Sequence, residues 1–343
     1  RAKTAFASMT RALIIGAAGQ DGSYLAELLV AGGDEVLGLV RPGGRTGLTR
    51  LGAVRGRIRL VEADLTDQGS VDRAINASRP DEIYNFASQS FMPATWDEAA
   101  LAGEVAGLGV TRLLESVRRL APQARFYQSS SSEMFGLPAQ SPQDEATPLN
   151  PRSPYGAAKV YAHHIVSIYR EHHGLFAVSG LCFNHESPRR DPVFVTRKIT
   201  RAVAAIKLGR ASELRLGDLA ARRDWGFAGD YVDAMRRMLR YARPEDFVIA
   251  TGATHSVQDF VETAFGAADL DWKRHVVLEE SLRRPHEPVE PRGDPAKARR
   301  LLGWEPRVGF GELVKSMVRW DLECLRSGRT DALAAPWTPP RAG

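Results

Sequence analysis

The chain has 343 residues, of which 43% are hydrophobic, 25% charged and 8% aromatic, the composition of an ordinary globular enzyme, which excludes low-complexity, collagen-like and wholly disordered readings. Its net charge of +5 is carried mostly by arginines scattered over helices and loops, with no dense basic block; that argues against a nucleic-acid partner and suits a phosphorylated small molecule. The two cysteines, Cys182 and Cys324, form neither a disulfide framework nor a paired-thiolate metal site, and no apolar run reaches the roughly 18 residues of a membrane span, so no membrane and a reducing cytoplasm are expected.

Residues 1–8, ahead of Met9, are set aside as a tail, either a cloning remnant or a frayed native end. In chain order, the short apolar runs Ala12–Ile15, Glu35–Val40, Ile58–Val61, Glu82–Phe86, Arg125–Tyr127 and Leu175–Phe183 are expected as strands, with amphipathic helices between them. Strands too apolar to have a wet face, alternating with helices, predict a Rossmann-type doubly wound α/β fold around a parallel sheet. The rhythm breaks at His185–Arg190, where a smaller C-terminal lobe begins, and a helix is expected near Thr196–Leu208 with a short strand near Glu213–Leu216. Asp246–Thr251 is expected to return to the main sheet ahead of a helix at Val257–Ala264. The lobes therefore interleave: 9–183 plus about 227–253 form the nucleotide-binding part, and about 184–226 with 254–330 the substrate lobe. Pro285, Pro288 and Pro291 mark an extended crossing before terminal helices at Pro295–Leu302 and Gly311–Leu325; 331–343 is set apart as a tail, and its proline-rich end from Ala335 is expected to be loose.

Gly16, Gly19 and Gly22, with Gln20 and Asp21 between them, fall in the first strand-to-helix turn. Their GxxGxxG spacing allows a dinucleotide pyrophosphate to approach the backbone at a helix N-terminus; a plain tight turn is the alternative. Arg41, at the end of the second strand, stands where an acidic residue would accept the ribose hydroxyls of NAD, and so favours the 2′-phosphate of NADP over a merely solvated arginine. Asp64 and Leu65 follow the third strand at the adenine position, where a turn aspartate is the simpler reading.

Tyr155 and Lys159, four residues apart, share a helix face; a neighbouring cation together with cofactor charge could bring the phenol toward neutrality and let it act as a general base. The run Ser129–Ser132 followed by Glu133 comes after the fifth strand, where a parallel sheet delivers side chains to its crevice, so a hydroxyl and a carboxylate are expected beside Tyr155. A flexible serine loop is the alternative. The order and separation of glycine loop, hydroxyl run and Tyr-Lys pair match an extended short-chain dehydrogenase/reductase.

Within that superfamily the chain resembles the GDP-mannose 4,6-dehydratase family from about Arg11 to Arg326, through GAAGQDGSYLAELL, ADLTD, EIYNFASQS, FYQSSSSEMFG, PRSPYGAAK, FNHESPRR, FVTRKI, RRDWGFAGDYVDAM, EDFVIATG and RGDPAKARRLLGW. The resemblance implies that Ser131, Glu133, Tyr155 and Lys159 are catalytic, and that Gly16 to Gly22, Arg41, Asp64, Leu65, Ala87, Gln89, His185 and Arg190, with Tyr155 and Lys159, hold NADP. It places Ser90, Asn184, Lys198, Arg223, Arg284 and Glu287 beside the nucleotide sugar and implies a homodimer or homotetramer. The chain departs from the family pattern at Ser131, where threonine is expected, at Pro42, where a second arginine is expected, in a shortened loop through Arg50, at Leu101 for tyrosine and at Phe91 for histidine.

The implied reaction converts GDP-mannose to its 4-keto-6-deoxy derivative without net consumption of cofactor. Two other readings stay open. A nucleotide-sugar 4-epimerase or ketoreductase needs the tyrosine but no base for C5, the role given to Glu133. A non-catalytic NADP-sensing module would need neither.

Overall fold

The computed structural model describes residues 9–43, 48–88, 96–282, 290–329 and 332–340. Seven strands, β1 (Arg11–Ile15), β2 (Glu35–Val40), β3 (Arg59–Glu62), β4 (Glu82–Asn85), β5 (Arg125–Ser131), β6 (Ala177–Cys182) and β11 (Phe247–Ile249), form one sheet in the order β11-β6-β5-β4-β1-β2-β3. Every pairing in it is parallel. The side chains of β1 show why it is central: Ala12 and Ile14 enter the core on one face, Leu13 and Ile15 the core on the other, and all four are fully buried. A strand with period-2 side chains and two apolar sets has no face to give to water.

Helices Gln68–Ser78, Gly109–Leu120 and Pro154–His173 supply one covering layer, while Gln20–Ala31 and Ala228–Arg240 supply the other. The helix Pro154–His173 has local reasons to start and stop where it does. Ser153 accepts the Gly156 N–H at 3.0 Å, Pro154 occupies the first turn, and Gly174 at φ 65° ends the helix in the left-handed region.

A third core, built from the helices Val195–Lys207, Val257–Gly266 and Phe310–Ser327 with Trp225, forms the smaller lobe. Of its short strands, β8 (Leu214–Leu216) matches the strand expected near Glu213–Leu216 and pairs with β13 (Val276–Leu278), whereas the pairs of β7 (Asn184–Glu186) with β10 (Trp225–Phe227) and of β9 (Arg222–Arg223) with β12 (His255–Ser256) were not legible in the sequence. Elements of two or three residues carry too few side chains to display a period.

Two expectations are corrected. The fifth strand does not stop at Tyr127 but runs to Ser131, because Ser129, Ser130 and Ser131 pair in register with Gly180, Leu181 and Cys182; the serine run is strand, not flexible loop. The described part of the C-terminal tail is not loose. Ala335 is buried, its carbonyl accepts Arg189 Nε at 2.9 Å and Nη2 at 2.7 Å, and the Trp337 ring meets Tyr24 edge-on at 5.0 Å.

Candidate active site

The strand order changes direction between β1 and β4, and in an open parallel sheet the crevice beyond the strand C-termini at such a point receives the ligand. A cavity of about 910 Å³ opens there, floored by the glycine turn and extending under the smaller lobe to Arg223. Gly16 has φ 82°, and a Cβ on Gly22 would lie 2.4 Å from the Gly16 carbonyl oxygen, so the turn closes only with glycines at both positions. Gly19 caps the helix Gln20–Ala31 with no side-chain hydrogen bond, leaving the first turn's N–H groups to a ligand. Ser130 in the cavity wall has a buried hydroxyl without a protein partner. These features fit a dinucleotide with its pyrophosphate on the helix N-terminus.

The turn is locked to the smaller lobe. His185 Nε2 meets Asp21 Oδ2 at 3.0 Å, and the other ring nitrogen meets the Phe183 carbonyl at 2.8 Å. Gln20 donates to the His185 carbonyl at 3.0 Å and accepts from Ser187 Oγ at 2.8 Å. Burial works against both charges of the Asp21-His185 pair, but their mutual attraction outweighs it, lowering the Asp21 pKa and raising that of His185. Arg190 follows in the same segment, 3.3 Å from the buried Glu186 and stacked on Phe194 at 3.6 Å, and it lines the cavity.

Strand β5 ends at Ser131, whose hydroxyl accepts the Glu133 N–H at 3.2 Å and so sets the short 3-10 turn Ser132–Met134 that presents Glu133. The helix bearing Tyr155 packs directly on this turn: a Cβ on Gly156 would lie 2.7 Å from the Glu133 carbonyl oxygen. Ser131, Glu133 and Tyr155 consequently share one wall of the cavity. Burial pushes the Tyr155 phenol up to about 12; the neighbouring Ser131 and Ser88 side chains oppose this, and the Glu133 charge adds to it.

Lys159 is placed differently from the simple reading of an ammonium against the phenol. It is 1% exposed, donates to the Ser129 carbonyl at 2.6 Å, and its Nζ lies 5.6 Å from the Tyr155 ring centre; burial lowers its pKa to about 8. The four-residue spacing sets the helix face, whereas the acceptor is chosen by the neighbouring strand.

Of the other expected residues, Asn184, Lys198 and Arg223 line the cavity. Arg41, Asp64, Leu65 and Ala87 stand at or just past the ends of β2, β3 and β4 without lining it. Asp64 accepts the N–H and hydroxyl of Thr66 at 2.9 and 2.8 Å, and these bonds hold its pKa down, with the nearby Arg41 charge contributing. Gln89, Ser90, Phe91, Arg284 and Glu287 lie outside the described residues. The sequence reading missed Ser88, which lines the cavity beside Tyr155, and Glu186, which accepts from Thr196 Oγ1 at 2.6 Å and holds Arg190. Both sit in motif blocks already singled out, and Ser88's position just beyond a strand C-terminus was the available signal. Among the described residues no group of three or more His, Cys, Asp or Glu could hold a metal ion, and no helix is long and apolar enough to cross a membrane.

A family model for GDP-mannose 4,6 dehydratase matches residues 13–317. The chain is 46% identical over 324 residues to GDP-mannose 4,6 dehydratase 2 of Arabidopsis thaliana, covering 91% of this chain and 87% of that protein. It is 45% identical over 343 residues to the GDP-mannose 4,6 dehydratase of Homo sapiens, covering 92% of each. Among solved structures, the dTDP-glucose 4,6-dehydratase DesIV of Streptomyces venezuelae, with NAD bound, matches with a TM-score of 0.80 and 26% identity over 94% of this chain and 99% of that one.

Proposed function

Because the chain belongs to the GDP-mannose 4,6-dehydratase family, we propose that its cavity converts GDP-mannose to GDP-4-keto-6-deoxymannose with NADP as a tightly held, regenerated cofactor. It is a nucleotide-sugar dehydratase, a lyase. The observation that carries the reaction is the common wall formed by Ser131, Glu133 and Tyr155, between a dinucleotide turn at one end and Arg223 at the other.

A bound nicotinamide cofactor, held by the glycine turn, would supply a positive charge and a reversible hydride acceptor for the sugar's C4 and C6. Tyr155, whose phenol burial holds at about 12, has to ionise beside that charge; as phenolate it takes the proton of the C4 hydroxyl, and Ser131 holds that oxygen. Oxidation to a ketone acidifies the C5 proton, which Glu133 removes; the same carboxyl group then protonates the departing C6 hydroxyl, which leaves as water, and with hydride on C6 a proton is taken up at C5 while Tyr155 gives up the one it accepted, restoring both groups. Lys159 serves from beneath, with its ammonium fixed on the Ser129 carbonyl. A 4-epimerase or ketoreductase has no C5 proton to remove and no use for a carboxyl group at 133.

Gly16 to Gly22, His185 and Arg190 hold the dinucleotide, and Arg41, exposed at the end of β2 near Asp64, meets the 2′-phosphate. Arg41→Ala is expected to reduce the preference for NADP over NAD, read by calorimetric titration of both; an unchanged preference would leave Arg41 a solvated strand end. The half-exposed Leu101, Leu108, Tyr161 and Ile168, on helices packed side by side, support a homodimer through that face, measurable by light scattering. Buried, unpaired Cys182 and Cys324 suit a reducing cytoplasm.

Incubation with GDP-mannose and catalytic NADP, followed by mass spectrometry, tests the reaction. The expected product has lost one water while the nicotinamide absorbance shows no net change. Stoichiometric cofactor consumption, or a product of unchanged mass, would overturn it.

A further inference from the structure

Arg223 lines the cavity at the end away from the glycine turn, while the next residue, Asp224, does not line it and is fully buried. Four donors converge on that carboxylate. Oδ1 accepts the Thr251 N–H at 2.9 Å and the Thr251 hydroxyl at 2.6 Å; Oδ2 accepts the Gly252 N–H at 3.0 Å and the Gly293 N–H at 3.3 Å. A carboxylate has about four acceptor sites, so the arrangement fills its capacity, whereas an asparagine would set an N–H group against N–H donors.

The donors come from two segments that, with Arg223 itself, shape one end of the cavity. Thr251 and Gly252 belong to the turn between β11 and β12, and β12 pairs with β9 by setting His255 opposite Arg223. Gly293 lies just past Glu290 and Pro291, which line the cavity, and its neighbours Arg292 and Asp294 are bound to Gln143 at 2.8 Å each. Burying a carboxylate away from water is costly, and burial raises its pKa against the lowering effect of these donors. A fold that keeps an acid there uses its capacity to join several strands at one point.

We propose that Asp224 is a positioning residue for nucleotide-sugar binding, fixing Arg223 and the wall at residues 290–293 to the end of the main sheet without touching the substrate. The proposal rests on the nucleotide-sugar reading above. It predicts a split: the substrate end loosens while the glycine turn and the Ser131-Glu133-Tyr155 wall stay as they are.

The test compares wild type and Asp224→Asn by calorimetric titration with GDP, titration with NADP, and steady-state turnover of GDP-mannose. The Kd for GDP and the KM are expected to rise by about 10-fold or more, the size of one or two lost charge-assisted hydrogen bonds, with NADP affinity unchanged and kcat within about 3-fold. Thr251→Val, which removes the hydroxyl donor and keeps the N–H, is expected to move the same two constants by about 3-fold, and decides the matter if Asp224→Asn does not fold. Unchanged GDP affinity in the variants, or a parallel fall in NADP affinity and kcat, would overturn the proposal. A wild-type protein that does not bind GDP at all would instead overturn the nucleotide-sugar reading on which it rests.

Discussion

Ser131 stands where β5 gives way to the turn bearing Glu133; its hydroxyl accepts the Glu133 N–H at 3.2 Å, and its nearness to the Tyr155 phenol works against the burial that raises that group's pKa. Tyr155→Phe removes the phenolic proton while keeping the ring in its buried site. It is expected to fold and bind NADP normally and to lose turnover by about 10²–10⁴-fold, the usual contribution of a general base; substantial activity would remove Tyr155 from that role. Glu133→Gln keeps the side chain's shape and loses its proton-accepting capacity. With GDP-mannose and stoichiometric bound NADP it is expected to form reduced cofactor, visible by absorbance, yet to release little 6-deoxy product and to exchange little solvent deuterium into C5. Dehydration at near wild-type rate would make Glu133 a bystander. The Tyr155-Lys159 pair was legible because helical spacing alone puts both on one face. The destination of the ammonium was not, since the Ser129 carbonyl belongs to a strand whose end the serine-rich sequence disguised.

At the scale of elements, the C-terminal segment behaves as a strap. Arg189, 1% exposed, forks onto the Ala335 carbonyl, pairs with Glu27 at 2.7 Å, donates to Ser23 Oγ at 3.1 Å and stacks on Tyr24 at 4.2 Å. It thus ties the tail to the helix Gln20–Ala31, and its carbonyl receives Arg50 Nε at 2.9 Å. Glu27→Ala leaves this guanidinium buried without its counter-ion and is expected to cost about 3–5 kcal/mol, read by urea denaturation. Ending the chain after Arg329 removes two of the guanidinium's hydrogen bonds and the Trp337 packing; each charged hydrogen bond is worth about 1.5–3 kcal/mol, so a marked loss of stability is expected. No change in either variant would show the strap to be ornamental. Proline-rich composition suggested looseness because it forbids helix and sheet, but the segment is held by Tyr24 and by the Arg189 side chain, the latter 146 positions away in sequence.

Across the whole molecule, Asp21 and His185 join the nucleotide turn to the smaller lobe, and their charges give that joint a pH window. The folded His185 pKa is raised above 6.5 because the Asp21 carboxylate outweighs the effect of burial. Its stabilisation is therefore full below pH 6.5 and lost as pH rises through the folded value. The folded Asp21 pKa lies below 3.8, again with attraction outweighing burial, so its contribution is present above pH 3.8 and lost as pH falls through the folded value. The stability advantage of wild type over His185→Gln, measured by thermal melts from about pH 4 to 8, is expected to be greatest at the acidic side of neutrality and to shrink above it. An advantage independent of pH would mean that the pair holds by shape alone. What the sequence by itself determined was the part governed by local period and spacing: two-sided apolar strands, the glycine turn, the Tyr155 helix and the return of residues 247–249 to the sheet. Tertiary structure decided the rest: the acceptor of Lys159, Ser88 beside Tyr155, the two- and three-residue strands of the smaller lobe other than β8, the pinned tail and the four donors on Asp224. Each depends on residues far apart in the chain meeting in a buried place, where an unpaired polar group is costly, and no local pattern records which partner it finds.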